Sequence, residues 1–243
     1  EHPESRAVFL VHSETSTGVL NPAEAVGRVV REAGRLFVVD AVSSAGVAPL
    51  EVDAWGIDVC VTASQKGLGA PPGLVLVSVH RRVWEAIGRR RAPMLGWTTN
   101  LARWKEFRER QATVQPYFIT MAVNNVRALR RGLARIEAEG LAARFRRHRE
   151  VAQRLRAGLR ELGLSPSAAD PWASPGVTAF RVPEGIPAAR WRDRLRDEYG
   201  LLVATGQGSW SSTHLRVGHM AEGATEAAVK RLLDALAALQ RPG

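Results

Sequence analysis

Two short apolar runs, residues 36–39 and 59–61, constrain this chain most. The first closes on Asp40 and the second, after Thr62 and Ala63, on Ser64-Gln65-Lys66. Apolar runs this short, followed by small and polar residues, predict buried strands of an α/β sheet. A helical pattern over residues 21–32, with Pro22 near its first turn, separates the 36–40 strand from an earlier one over residues 7–12. That is a βαβ unit, for which a right-handed crossover is expected. An acid and a lysine at the ends of neighbouring parallel strands stand where open α/β sheets place their ligands.

The pair has a specific chemical use. A lysine amine forms a Schiff base with an aldehyde cofactor, and a carboxylate keeps a ring nitrogen of that cofactor protonated. Pyridoxal phosphate needs both groups. Asp40 alone would read as a strand-end cap, and Lys66 alone as a solvated surface lysine. Composition weakens the second reading. Of 34 basic Lys and Arg residues, only Lys66, Lys105 and Lys230 are lysines. A chain that writes positive charge as arginine keeps a lysine beside small residues and a Gly-Pro-rich turn, and arginine cannot replace it in imine chemistry.

Several motifs extend the pattern in order: H-S-E-T-S-T-G-V from His12, V-D-A-V-S-S from Val39, S-Q-K-G-L-G-A-P-P-G from Ser64, Q-P-Y-F-I-T from Gln115 and L-R-V-G from Leu215. Together they resemble the class V aminotransferases of the fold type I pyridoxal-phosphate enzymes, closest to the alanine/serine–glyoxylate (or pyruvate) group. The resemblance covers essentially the whole chain, and ordered motifs are far more specific than any one of them. It implies Lys66 as the cofactor-bearing catalytic lysine and Asp40 as the partner of the ring nitrogen. It places Val42 on one ring face and Thr15 and Gln65 beside the cofactor, with Glu14 and Thr17 shaping the loop. Tyr117 and Thr120 would contact the phosphate of the other subunit's cofactor, which implies a homodimer with shared sites. Tyr and Thr hydroxyls suit a phosphate dianion, although Thr120 also reads as a helix cap. Arg216, inside an otherwise apolar strand, would clamp the substrate carboxylate, as guanidinium geometry allows. A salt bridge at a domain interface is the bland reading of that arginine.

The implied architecture is an α/β fold type I transferase. Residues 1–138 are the C-terminal portion of a mostly parallel large domain, and residues 139–243 form a smaller α+β domain. Helices are expected over 80–91, 121–138, 141–162, 188–199 and 225–239, strands over 74–79, 177–182, 201–204 and 213–217, and an irregular stretch over 97–113. The resemblance also implies ~140 residues upstream, within ordinary domain sizes. Those would hold the phosphate-binding turn and the ring-stacking aromatic.

Other classes fit less well. The net charge of +10 is spread over helical arginines beside glutamates, so no nucleic-acid stripe forms. No run approaches the ~20 apolar residues of a membrane span, and a cytoplasmic setting is expected. His214 and His219 lack metal-ligand spacing with a carboxylate cluster, so no metal is expected. Cys60, the single cysteine, precludes an internal disulfide and reads as an inert strand thiol. A cysteine desulfurase would need a mobile cysteine in a later loop. A 2-aminoethylphosphonate aminotransferase shares the H-x-E-T-[ST]-T-G motif style and stays open, as does a non-catalytic fragment that requires its missing part.

Overall fold

The computed structural model describes residues 2–110, 113–114 and 117–241. The chain opens with β1 (Ala7–Val11), a short antiparallel pair β2 (Ser13–Glu14) and β3 (Val19–Leu20), and α1 (Ala23–Glu32). Then come β4 (Leu36–Asp40), β5 (Val59–Ala63) and β6 (Val75–Val79). These form a sheet ordered β1-β4-β5-β6. The pairs β1/β4 and β4/β5 are parallel, as the βαβ pattern requires, with Asp40 opposite Val61. The pair β5/β6 is antiparallel. A parallel return needs a crossover of a dozen or more residues, usually helical. The Gly-Pro-rich link from Ser64 to Leu74 is too short for one, and it closes on itself through Ser64 N–H to Leu74 O (3.1 Å) and Ser64 Oγ to Pro71 O (2.6 Å).

One sheet face is buried under α1, where Val30 meets Phe37 and Val39, both fully buried. The other face, carrying Phe9, Val75 and Val77, is exposed. Asp40 shares that open face by strand alternation.

Beyond β6 lie α2 (Arg81–Gly88) and α3 (Leu101–Arg110). The helix α3 replaces the expected irregular stretch. Asn100 Oδ1 accepts from Arg103 N–H at 3.3 Å, and Lys105–Glu109 and Glu106–Arg110 pair one turn apart. Its apolar residues gather on a small knot rather than a core: Trp97, Trp104 and Phe107 each stand 4.8–5.4 Å from the ring of Phe118. Without a buried stripe the helical period is hard to see in sequence.

Two long helices, α4 (Val123–Glu139) and α5 (Leu141–Glu161), precede β7 (Val177–Arg181), α6 (Ala188–Tyr199), β8 (Ala204–Thr205), β9 (His214–Gly218) and α7 (Glu226–Leu239). The antiparallel sheet β7-β9-β8 packs with α5, α6 and α7 around Leu155, Phe180, Trp191, Leu195, Leu215 and Leu236. The strand β8 lies later than expected. Gly200 ends α6 in the left-handed conformation, and Leu201 N–H returns to Leu195 O, so pairing with β9 begins only at Ala204.

Gly132 lets α4 sit directly on the link after Lys66. A Cβ there would collide with the carbonyl oxygen of Leu68, and Leu129 and Ile136 flank the contact with buried Leu68. Gly132→Ala is therefore expected to cost about 1–3 kcal/mol by overpacking. Since a mid-helix Gly→Ala change otherwise stabilises by up to about 1 kcal/mol, a raised Tm in calorimetry would contradict this contact.

Candidate active site

The carboxyl ends of β4 and β5 bring the predicted residues into one region. Asp40 closes β4; its Oδ1 accepts from Val42 N–H at 2.8 Å, and its second carboxylate oxygen has no partner among the described residues. The turn 41–47 that follows is anchored by Ala41 N–H on Val61 O (2.8 Å) and by buried Ser44, whose Oγ lies 3.0 Å from His12 Nδ1. Burial holds His12 well below the ordinary imidazole range, at about 4, so the ring is neutral near pH 7. His12 N–H also donates to Asp40 O at 2.9 Å, bringing the 12–18 loop beside Asp40.

Lys66 lies three residues past β5 and is half-buried. Among the described residues Lys105 pairs with Glu109 at 3.8 Å and Lys230 with Asp234 at 2.7 Å, whereas Lys66 has no ion-pair partner. No hydrogen bond joins Lys66 to Asp40; their relation is that of consecutive parallel strand ends. An open cleft of about 420 Å³ adjoins Lys66, lined by Gln65, Gly69, Gly218, Met220, Ala221 and Glu222. A larger cavity of about 580 Å³ lies at the opposite end of the sheet, by Arg35 and Arg82. That is the amino end of the parallel strands, whereas open α/β sheets bind ligands beyond the carboxyl ends.

Arg216 reaches this region from β9. Its Nε donates to Thr205 O at 2.8 Å and its Nη1 to Thr15 O at 3.2 Å. Two carbonyls thus fix the guanidinium plane and tie β9 to the Thr15 loop. Nη2 and the second hydrogen of Nη1 are not used by the described residues, and that edge suits a carboxylate. The loop itself is shaped as expected at Glu14, whose Oε1 accepts from Ser16 N–H at 2.8 Å. The hydroxyl of Thr17 is buried without a partner among the described residues. Ser13 Oγ and Ser174 Oγ, 2.8 Å apart, dock the loop on the segment before β7.

Tyr117 and Thr120 are not gathered with the others. Both are exposed ahead of α4, and neither contacts Asp40, Lys66 or Arg216. Gln115 and Pro116 of the same motif lie outside the described residues. Cys60 is buried in β5, and burial, then the Asp40 charge, push its thiol pKa up, as befits an inert side chain.

Sequence reasoning missed Arg144, which is 1% exposed and donates to Gly46 O and Gly67 O, the carbonyls just past the Asp40 turn and just past Lys66. A signal existed. Arg144 and His148 fall on the α5 stripe that continues through Val151, Leu155 and Leu159, positions otherwise apolar.

The donor set suits pyridoxal phosphate. It comprises, among the described residues, an amine without an ion partner, a carboxylate with one free oxygen at the neighbouring strand end, and a cleft lined mostly by small residues together with Gln65, Met220 and Glu222. Comparison with known proteins decides the family: the sequence matches aminotransferase class V over residues 2–227. This chain belongs to the class V aminotransferase family. It is 38% identical over 220 residues to an uncharacterized aminotransferase of Methanocaldococcus jannaschii, covering 90% of this chain and 56% of that protein. It is 36% identical over 233 residues to alanine–glyoxylate aminotransferase of Oryctolagus cuniculus, covering 94% and 59%. The crystal structure of alanine–glyoxylate aminotransferase from Nostoc sp. superposes with a TM-score of 0.91 at 34% identity, over 97% of this chain and 62% of that one. The fold is therefore that of the fold type I aminotransferases, whose cofactor is pyridoxal phosphate. The chain spans a little over half the length of the curated relatives it matches.

Proposed function

We propose that this class V chain carries the lysine-bearing part of a pyridoxal-phosphate aminotransferase. The reaction moves an amino group from a small amino acid, alanine or serine, to glyoxylate or pyruvate. The observation that carries the reading is Lys66 beyond β5, with no ion-pair partner among the described residues, at the strand end neighbouring that of Asp40, whose second carboxylate oxygen is likewise without a partner among them. The name and 36% identity of the rabbit relative support glyoxylate as an acceptor.

In this reading pyridoxal phosphate, when bound, supplies the electron sink that makes the Cα proton of an amino acid removable. The chain's own residues do the rest. Lys66 Nζ would hold the cofactor covalently; when free, it would take the Cα proton as general base and deliver a proton as general acid. The second oxygen of Asp40 would hold the proton on the ring nitrogen. Val42 would pack on the ring, and Thr15 and Gln65 would contact it. Arg216 receives the α-carboxylate on the edge that Thr205 and Thr15 leave open. Tyr117 and Thr120, exposed in the single chain, suit contacts to the phosphate of a second subunit's cofactor. A homodimer in a cytoplasmic setting follows from that reading; no described helix is long and apolar enough to cross a membrane. The domain division at 138/139 is supported by separate apolar clusters on the two sides.

Assay of alanine, serine and 2-aminoethylphosphonate side by side, with glyoxylate or pyruvate as acceptor, tests the substrate class. Turnover of the phosphonate alone would replace this reading with the phosphonate one. Arg216→Ala is expected to raise KM for the amino acid by about 30- to 1000-fold, the cost of removing one partner of a charge pair, with a smaller change in kcat. An unchanged KM in steady-state kinetics would take Arg216 out of carboxylate binding.

A further inference from the structure

A single buried guanidinium joins the two loops that carry the proposed chemistry. The loops already touch backbone to backbone. A Cβ at Gly67 would collide with Ala45 O, and one at Gly46, where φ is +72°, would stand 3.0 Å from Gly67 O. Arg144 comes from the first turn of α5. Its Nε donates to Gly46 O at 2.8 Å and its Nη2 to Gly67 O at 2.7 Å. Nε and Nη2 form one edge of the planar group, so that edge spans the two carbonyls at a fixed spacing. The third nitrogen, Nη1, donates to Glu139 Oε2 at 2.8 Å. Glu139 is shared with Arg147, whose hydrogen bond is the main cause of its depressed pKa of about 2.

The same helical stretch holds the far wall of the cleft. Arg147 Nη1 donates to Ala221 O at 3.0 Å and to Ala224 O at 2.7 Å, and His148 Nε2 accepts from Ala221 N–H at 3.1 Å. Ala221 lines the Lys66 cleft with φ of +51°, a left-handed conformation uncommon outside glycine. Such a conformation persists where the surroundings over-determine it; here one bond from Arg147 and one to His148 hold Ala221 directly, and a second from Arg147 holds Ala224.

We propose that Arg144 is a positioning residue for Lys66, its guanidinium fixing the backbone just past Lys66 against the turn just past Asp40 and so setting amine against carboxylate. The proposal rests on the reading of Lys66 and Asp40 as the cofactor groups. A buried arginine is a costly way to fill space, since an apolar side chain of similar volume is often at least as stabilising. Here its whole donor edge is spent on the backbone of the two site loops.

Two readouts test it. In the first, the purified chain is incubated with pyridoxal phosphate and reduced with borohydride, and the pyridoxyl group is mapped by mass spectrometry as the ratio of Lys66 to Lys105 plus Lys230. The second needs no cofactor: hydrogen exchange at the amides of Gly69 and Ala70, which bond to Lys66 O and Ser64 O within the same loop. In Arg144→Met, with circular dichroism matching wild type, the labelling ratio is expected to fall by about tenfold or more. Exchange at Gly69 and Ala70 should rise by a similar factor while α7 keeps its protection, as loss of one or two buried charged hydrogen bonds implies. Arg144→Lys, which cannot span both carbonyls, should recover only part. Wild-type ratio and exchange in Arg144→Met would overturn the proposal. If that variant does not fold, Arg144→Lys and Glu139→Gln are read the same way, and wild-type behaviour in both overturns it. A wild-type chain that labels its three lysines alike would instead show that this chain builds no cofactor site by itself, and the exchange measurement would still decide the role of Arg144.

Discussion

Lys66→Ala is expected to end pyridoxal phosphate capture at the site and to lower transamination by about 10⁴-fold or more, because it removes both the covalent anchor and the proton-transfer group. Borohydride reduction of the wild-type chain should place the pyridoxyl group on Lys66 in preference to Lys105 and Lys230. The reason is structural: the two other lysines pair with Glu109 and Asp234, while Lys66 has no ion-pair partner among the described residues, although Glu222 lines the cleft it faces. In Lys66→Ala the remaining label should be weak and divided between the other two. Full turnover in that variant would refute the assignment of Lys66. Spread labelling in the wild type would show that this chain builds no cofactor site by itself, and the same assay on a form extended upstream would then separate an incomplete site from a wrong one.

Acid should destabilise the fold in a window set by buried histidines. His12 and His219 are both depressed from the ordinary imidazole value of 6.5 to about 4 in the folded chain. Burial is the larger cause at each, and at His219 the nearby Arg156 charge adds to it. The sign follows from linkage. Below pH 6.5 the unfolded chain takes up protons that the folded chain refuses, so stability falls as pH falls, and it levels off near pH 4. Stability from this source is complete above pH 6.5. A depression from 6.5 to about 4 corresponds to about 3 kcal/mol at most for each histidine, and roughly 6 kcal/mol for the two together. Glu139, held at about 2 by Arg147 and Arg144, acts in a different window: its contribution is present above about 4.5 and is lost as pH falls through 2. Urea unfolding at pH 7 and pH 4.5 measures the first window alone. Equal unfolding free energies at the two would mean that the histidines are solvated in the folded chain. His219→Gln should reduce this slope, the rest being carried by His12 and by His148 and His214, which burial also depresses; the amide can keep a bond to Thr178 Oγ1, which lies 2.9 Å from His219 Nε2. Folded His12 takes up a proton only near pH 4, where it would disturb Ser44 and the turn after Asp40, so cofactor capture should weaken near pH 4 and not across the whole window.

Much of the site was legible in the chain. Asp40 and Lys66 stood out because they close apolar runs, and because lysine is rare in a chain rich in arginine. Arg216 stood out because β9 is otherwise apolar at its centre, and the structure adds that Thr15 and Thr205 aim it. The direction of β6 was not stated by its apolar run, which does not say which way a strand points; the short link decided it. The helix α3 was missed because its aromatic residues pack on Phe118 rather than in a core, leaving no buried stripe to read.

The sequence by itself determined the strand–helix order, the lysine and acid at adjacent strand ends, and membership in a family with that chemistry. These are local or ordered properties, carried by side-chain period, residue type and motif order. Only the tertiary structure decided that Arg144, 98 residues from Gly46 and 77 from Gly67, grips both loops. Arg156 of the same helix is buried too, so burial does not single out Arg144; its bonds to these two carbonyls do. Its partners are backbone carbonyls, which every residue possesses, so no residue type in the chain announces the contact.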